Sequence, residues 1–214
     1  EYIGASLAVL SLSAVMVPVA IEHTEEEING ILERIAVHYL VFEKGSYDYA
    51  GTDSLELINF SHKEFRILIR GAQKEPDGEY YKINPAFIRF SSGTTGASKG
   101  VVLSHEAILE RTSAADKGLC ITRDDTVLWI LSMSFHFVVT ILLFLRRAAT
   151  IVLCSNLFPE SLIDGISRHK GTFIYASPFH YNVLTHMESL SAESLQNIRL
   201  AVSTAMKLPE NIAH

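Results

Sequence analysis

The sequence predicts an α/β fold, layered and mostly parallel, with its sheets covered by helices. Three observations predict it. From Val127 onward, short apolar runs alternate with helix-length amphipathic segments, the pattern of βαβ crossovers. Two of those runs, Ile151 to Leu153 and Phe173 to Tyr175, are apolar without interruption, as strands buried on both faces are. Of the 214 residues, 48% are apolar and 20% charged, a balance that supports a substantial core and excludes disorder, collagen and coiled coil.

Tyr2 to Ile21 is a 20-residue stretch without a charge, long enough on length alone to cross a hydrocarbon core. Gly4, Ser6, Ser11, Ser13 and Pro18 interrupt it, and no Lys or Arg precedes it as in a signal peptide. The expectation is a buried helix running into a strand, with the break near Pro18. No stable membrane insertion is expected, and a membrane-associated role for residues 2–21 is the competing idea. Thr24, Glu25, Glu26 and Glu27 form a capping box, and Ile28, Ile31, Leu32 and Ile35 follow at helical spacing. The acidic run is therefore helix-start chemistry rather than a metal site.

His38 to Phe42 reads as a short strand, the pattern weakens from Ser46 to Phe60, and Glu64 to Arg70 alternates as a half-buried strand. Gly71 to Asn84, with Pro76, Asp77 and Gly78, reads as a surface connection. Strands at Phe87–Phe90 and Val101–Leu103 flank a loop. Beyond Leu119 come strand Val127–Leu131, an apolar segment Phe135–Leu145 closed by Arg146 and Arg147, strand Thr150–Leu153, helix Pro159–His169, strand Thr172–Ala176, helix Pro178–Met187 and strand Arg199–Val202. Trp129, interior to its strand, is core, and His136 reads as standing at a strand end within an otherwise apolar run.

A formal net charge of −6, from 18 basic and 24 acidic residues without a basic block, excludes an electrostatic footprint for nucleic acid. Cys120 and Cys154 stand far apart in apolar sequence, which fits neither a disulfide framework nor a zinc site and suits a reducing cytoplasm. The nine histidines show no His-Glu-x-x-His spacing, and no Gly-x-Ser-x-Gly elbow of a hydrolase occurs. No metal-ligating residues are assigned.

The chemistry concentrates in Ser91 to Gly100, ten residues of Ser, Thr, Gly, Ala and one Lys. Gly93, Gly96 and Gly100 let the backbone turn and approach a ligand closely, while Ser91, Ser92, Thr94 and Thr95 supply hydroxyl donors beside the freed amides. Lys99 adds one point charge. Clustered donors and a cation on a pliable loop suit a polyphosphate. The spacing satisfies neither a Walker loop nor a Gly-x-Gly-x-x-Gly dinucleotide turn.

Ser91 to Gly100 resembles the hallmark loop of the adenylate-forming enzymes, Ser/Thr-Ser-Gly-Ser/Thr-Thr-Gly-x-Pro-Lys-Gly, with Ser98 where Pro is usual. That family includes acyl-CoA synthetases, coumarate-CoA ligases, luciferases and peptide-synthetase adenylation domains. Residues 1–21 are similar to its alanine-rich helix and Val-Pro strand. Leu131 to His136 resembles the Pro-Met-x-His segment that lines the acyl pocket. Ala148 to Ile151 resembles a Gly-Ala-Thr turn, with Ala148 replacing Gly. Val202 to Pro209 is similar to the Ser-Gly-Gly-Ala-Pro-Leu segment beside the adenine, with Thr204 and Ala205 replacing both glycines.

The resemblance implies that residues 1–214 are part of one large N-terminal AMP-binding domain. The Tyr-Gly-x-Thr-Glu segment, the ribose-binding Asp and the C-terminal domain with its catalytic Lys are absent from it. It implies ATP-dependent activation of a carboxylic acid to an acyl-adenylate and transfer to CoA or a carrier-protein thiol, with Mg2+ held mainly by residues outside these 214. The implied nucleotide-binding residues are Ser91, Ser92, Gly93, Thr94, Thr95, Gly96, Lys99, Thr204, Ala205 and Met206. Lys99 is the implied catalytic residue and His136 the implied substrate-binding one. The isolated fragment is expected to be inactive. A nucleotide-binding pseudoenzyme or non-catalytic module of the same fold is the alternative.

Overall fold

The structure, a computed structural model, describes residues 1–20, 23–47, 54–60, 63–71, 76–91, 99–154, 160–187 and 190–213. They form two compact units, residues 1–108 and 109–214, with the division inside one helix.

In the first unit, α1 (Tyr2–Ser11) has ten residues, about 15 Å of helix and half a hydrocarbon core. Among the described residues no helix is long and apolar enough to cross a membrane. The buried Ser6 hydroxyl donates to the Tyr2 carbonyl at 2.7 Å. The strand into which this helix is expected to run near Pro18 is reduced, among the described residues, to one parallel bridge between Met16 and Phe87. Proline has no N–H to extend such a ladder.

The capping box at Thr24 forms as read. The Glu27 N–H donates to Thr24 Oγ1 at 3.3 Å, and the Thr24 N–H to Glu27 Oε2 at 2.8 Å, opening α2 (Glu25–Arg34). Strands β1 (Tyr39–Glu43), β2 (Ser54–Phe60) and β3 (Lys63–Ile69) make an antiparallel sheet in the order β1-β3-β2. Phe42, Tyr47 and Leu68 are buried together, and Phe42 meets Tyr47 edge to face at 5.4 Å. The polar stretch expected to be irregular holds a short helix, α3 (Gly78–Lys82), because Asp77 caps the Glu79 N–H at 2.7 Å. Strands β4 (Pro85–Ser91) and β5 (Lys99–Ser104) form an antiparallel pair.

Helix α4 (His105–Leu119) was not legible as a helix in the sequence. The second unit continues from it with a parallel sheet of β6 (Thr126–Trp129), β7 (Thr150–Leu153), β8 (Phe173–Ala176) and β9 (Leu200–Ser203), in the order β7-β6-β8-β9. The crossovers carry α5 (Met133–His136), a π turn (Phe137–Ile141), α6 (Leu142–Arg146), α7 (Glu160–His169) and α8 (Pro178–Leu184). A last short helix, α9 (Glu210–Ala213), follows β9. One face of the sheet packs Leu128, Ile174 and Ala176 against Leu162 and Ile166 of α7. This is the parallel, helix-covered sheet the sequence predicts, with β6 ending two residues early and α8 three residues early.

The amino ends of these strands are clasped by one buried carboxylate. Asp125 accepts from Arg199 Nε at 2.6 Å and Nη2 at 2.7 Å, from the Thr122 N–H at 2.8 Å and from the Thr172 hydroxyl at 2.8 Å. The Arg199 guanidinium holds the Asp125 carboxyl down to about 2, against the opposing effect of burial. Arg199 also donates to the carbonyls of Leu119 and Cys120, both at 3.2 Å. The two cysteines differ: Cys120 is exposed in a left-handed turn (φ 50°), whereas burial pushes the Cys154 thiol up to about 11.

Candidate functional site

Strands β4 and β5 flank the segment that the sequence reading assigns to phosphate. Ser91 pairs with Lys99 and Phe90 with Gly100 at its mouth, so Lys99 is the first residue of β5, with its side chain exposed. A Cβ at Gly100 would stand 3.4 Å from the Phe90 ring and 3.5 Å from Ile88 Cγ2, at ordinary contact distance. The other end of the hairpin is tied down. The His105 N–H donates to the Asn84 carbonyl at 3.1 Å, Asn84 Nδ2 to Glu106 Oε1 at 2.8 Å, and the Ala107 N–H to Ser104 Oγ at 3.0 Å, capping α4. Ser92, Gly93, Thr94, Thr95 and Gly96 lie outside the described residues.

The other candidates lie in the second unit, beyond the carboxyl ends of its strands. In open parallel sheets ligands bind at that edge, where the strand order reverses. Here the reversal falls between β6 and β8, since the chain places β7 on one side of β6 and β8 and β9 on the other. His136 closes α5 and is half-buried, whereas the sequence reading put it at a strand end; β6 stops at Trp129 and the chain turns helical at Met133. Its ring stands edge-on to Trp129 at 5.3 Å and to Tyr175 at 6.0 Å. The π turn begins immediately after it: the Leu142 N–H bonds to the Phe137 carbonyl, five residues back. His136 itself, at φ −113° and ψ −7°, departs from helical values.

Thr204 is fastened to the neighbouring strand end, its N–H donating to the Ala176 carbonyl at 3.0 Å. Ala205 has φ 74°, a conformation that favours glycine, and Met206 is 68% exposed. Ala148 likewise has φ 55°. Both alanines stand where the resembling family carries glycine.

Sequence reasoning missed three groups at this edge. Tyr175 stacks on Trp129 at 5.3 Å and 19°; alternation within Phe173 to Ala176 was the available signal. His180 is 5% exposed, and both the Ser177 hydroxyl and N–H donate to its Nδ1, at 2.7 and 3.3 Å. Burial lowers its pKa, and its Nε2 is buried without a partner among the described residues. The run Ser177-Pro178-Phe179-His180 was readable as a helix start. The Ser203 hydroxyl is likewise buried without a partner among the described residues. Among the described residues no three His, Cys, Asp or Glu side chains gather as metal ligands.

The antiparallel pair β4–β5 and the helix-covered parallel sheet define an α/β protein. The family model of the AMP-binding enzymes matches residues 1–214, and the chain belongs to that family. It is 25% identical over 205 residues to the anguibactin system regulator of Vibrio anguillarum, covering 94% of this chain and 19% of that protein. It is 26% identical over 156 residues to 4-coumarate–CoA ligase 3 of Oryza sativa subsp. japonica, covering 70% of this chain and 28% of that one. Its fold is similar to a malonyl-CoA ligase solved with methylmalonyl-CoA and AMP, with a TM-score of 0.77 and 24% identity over 97% of this chain and 45% of that one. The chain spans less than half the length of these proteins.

Proposed function

We propose that the chain works, as part of a longer protein and within one large N-terminal domain, in an ATP-dependent ligase that activates a carboxylic acid. The carboxylate attacks the α-phosphorus, pyrophosphate leaves, and a thiol of CoA or of a carrier protein then displaces AMP from the acyl-adenylate. The observation that carries this reading is the β4–β5 hairpin. It brings Ser91 and Lys99 into register on either side of a loop of hydroxyls and glycines, in a chain that belongs to the AMP-binding family.

In this reading Ser91 to Gly96 supply neutral donors to the polyphosphate, and Lys99 neutralises charge on the β- and γ-phosphates as pyrophosphate departs. Thr204, Ala205 and Met206 lie beside the adenine, and His136 lines the acyl site. In this reading Mg2+ is held mainly by groups outside these 214 residues; no step above runs through it.

The test is carboxylate-dependent exchange of labelled pyrophosphate into ATP. The complete protein should exchange when given its acid, and the 214-residue chain alone should not. Exchange by the isolated chain would mean that the catalytic groups are misplaced. The second reading, a nucleotide-binding module without turnover, draws on Ala205, which carries a methyl group in a conformation suited to glycine. Nucleotide binding by the complete protein without exchange for any acid would favour it.

A further inference from the structure

Strand β9 has four residues and stands last in its sheet, with β8 as its one neighbour among the described residues. Its carboxyl end leads directly into Thr204, Ala205 and Met206. That end is held from outside the strand. The Tyr181 hydroxyl, on α8, reaches across 21 positions to donate to the Val202 carbonyl at 2.9 Å, with the Ile174 carbonyl of β8 beside it at 3.2 Å. The Thr204 N–H donates to the Ala176 carbonyl at 3.0 Å. The Tyr181 ring is partly buried and packs against the cluster of Leu128, Ile174 and Ala176. Burial pushes its phenol pKa up, so the hydroxyl keeps its proton and remains a donor. What these bonds restrain is a strained residue: Ala205 has φ 74°, a region where the side chain of an L-residue crowds the backbone and glycine does not. A residue there keeps its conformation only where its surroundings over-determine it. With the end of β9 released, Ala205 would relax to negative φ and carry Thr204 and Met206 with it.

We propose that Tyr181 is a positioning residue for the base end of the nucleotide site: by fixing Val202 against β8, its hydroxyl keeps Ala205 left-handed and Thr204 and Met206 in place. The inference rests on the nucleotide-binding reading above, in which those three residues lie beside the adenine. Tyr181 acts through the backbone of β9 and not by touching the nucleotide. The phosphate end is assigned to different groups, Ser91 to Gly96 and Lys99, on the β4–β5 pair. Loss of the Tyr181 hydroxyl therefore weakens a ligand that carries adenine and spares one that is phosphate alone. Restoring glycine at position 205 removes the strain, and with it most of the need for the restraint.

The experiment measures binding of AMP and, separately, of inorganic pyrophosphate to the complete protein by calorimetry. Tyr181→Phe removes one oxygen and keeps the ring. It should weaken AMP by about fivefold, the worth of one neutral hydrogen bond, and change pyrophosphate by less than about twofold. Adding Ala205→Gly to Tyr181→Phe should restore most of the lost AMP affinity. A tyrosine that served only the fold would lower Tm and leave both the difference between the two ligands and the rescue unmoved. Unchanged AMP affinity in a folded Tyr181→Phe protein, equal weakening of the two ligands, or a loss that Ala205→Gly does not reverse overturns this inference and leaves the nucleotide reading standing. If Tyr181→Phe alone does not fold, Ala205→Gly is compared with the double variant: their AMP affinities should agree within about twofold, and a gap of about fivefold overturns the inference. Wild-type protein that binds no AMP overturns the nucleotide reading, and the role of Tyr181 falls with it.

Discussion

Replacing Asp125 with asparagine should destabilise the second unit by about 3 kcal/mol, the low end for breaking a buried ion pair. Asp125 is 2% exposed and receives two bonds from Arg199, one from the Thr122 amide and one from the Thr172 hydroxyl. Its pKa falls from the ordinary 3.8 to about 2, a difference corresponding to roughly 2.5 kcal/mol. Arg199, whose side chain is 37% exposed, keeps the Leu119 and Cys120 carbonyls and some water, which holds the cost to the lower figure. A carboxyl with a depressed folded pKa stabilises fully above its unfolded pKa and loses that contribution as pH falls through the folded value. The difference between wild type and Asp125→Asn should therefore be constant above about pH 5 and contract between about pH 4 and 2. Urea unfolding followed by fluorescence of Trp129, the sole tryptophan of the chain and a member of the same unit, reads it directly. A loss below about 1 kcal/mol at neutral pH, or a difference that does not contract on acidification, would refute the clasp.

In the complete protein, Lys99→Ala should slow adenylation by about tenfold to a hundredfold and Thr95→Ala by less, because a charged hydrogen bond is worth roughly 1.5–3 kcal/mol and a neutral one about 1. Thioester formation from preformed acyl-adenylate involves no β- or γ-phosphate and should change little. Equal losses in the two half-reactions would show that the loop acts through the fold. Ala148→Gly should stabilise by about 1 kcal/mol and raise Tm by about 2–4 °C. Ala148 ends α6 with a pair of Schellman bonds, its own N–H to Leu145 and the Ala149 N–H to Phe144, both at 3.0 Å. Ala149→Gly, at negative φ, is the control and should destabilise; a Tm unchanged or lowered by Ala148→Gly would contradict the assignment of strain. At Gly171 a Cβ would stand 2.6 Å from Leu128 Cδ1, and Leu128 has no exposed surface into which to retreat. Gly171→Ala should cost about 1–3 kcal/mol. In a double-mutant cycle with Leu128→Ala the two changes should compensate by about 1 kcal/mol, and simple additivity would refute the contact.

What was legible in the chain was local. The capping box at Thr24, the strand through Glu64 to Arg70 and the apolar runs of β7 and β8 each depend on neighbours a few residues apart, and each element formed. Burial departs from the reading, since Leu68 rather than Phe65, Ile67 or Ile69 is the buried residue of β3, and Leu153 of β7 is 55% exposed rather than covered on both faces. Helix α4 escaped because its apolar positions are sparse. His136 was misplaced by a few residues because an apolar run does not tell a strand end from the helical turn after it. The clasp at the amino ends and the groups at the candidate edge arise from contacts that no local pattern encodes. Arg199 reaches Asp125 across 74 positions, and Trp129 meets Tyr175 only because β6 and β8 pair across the β7 crossover. Ala148 and Ala205 were flagged by resemblance to glycines, and the positive φ at both supplies the physical reason glycine is usual there.

The position of the Asp125 clasp has a bearing on how such a protein can diversify. It secures the sheet at the amino ends of its strands, so the stability it provides does not depend on residues at the opposite edge. That edge carries a left-handed alanine and, among the described residues, an imidazole nitrogen and a hydroxyl buried without partners. Such defects cost stability, and a scaffold with no reserve elsewhere would purge them. With the reserve placed at the far end, residues around His136, Tyr175 and Thr204 can be exchanged in search of a new substrate while the sheet remains folded.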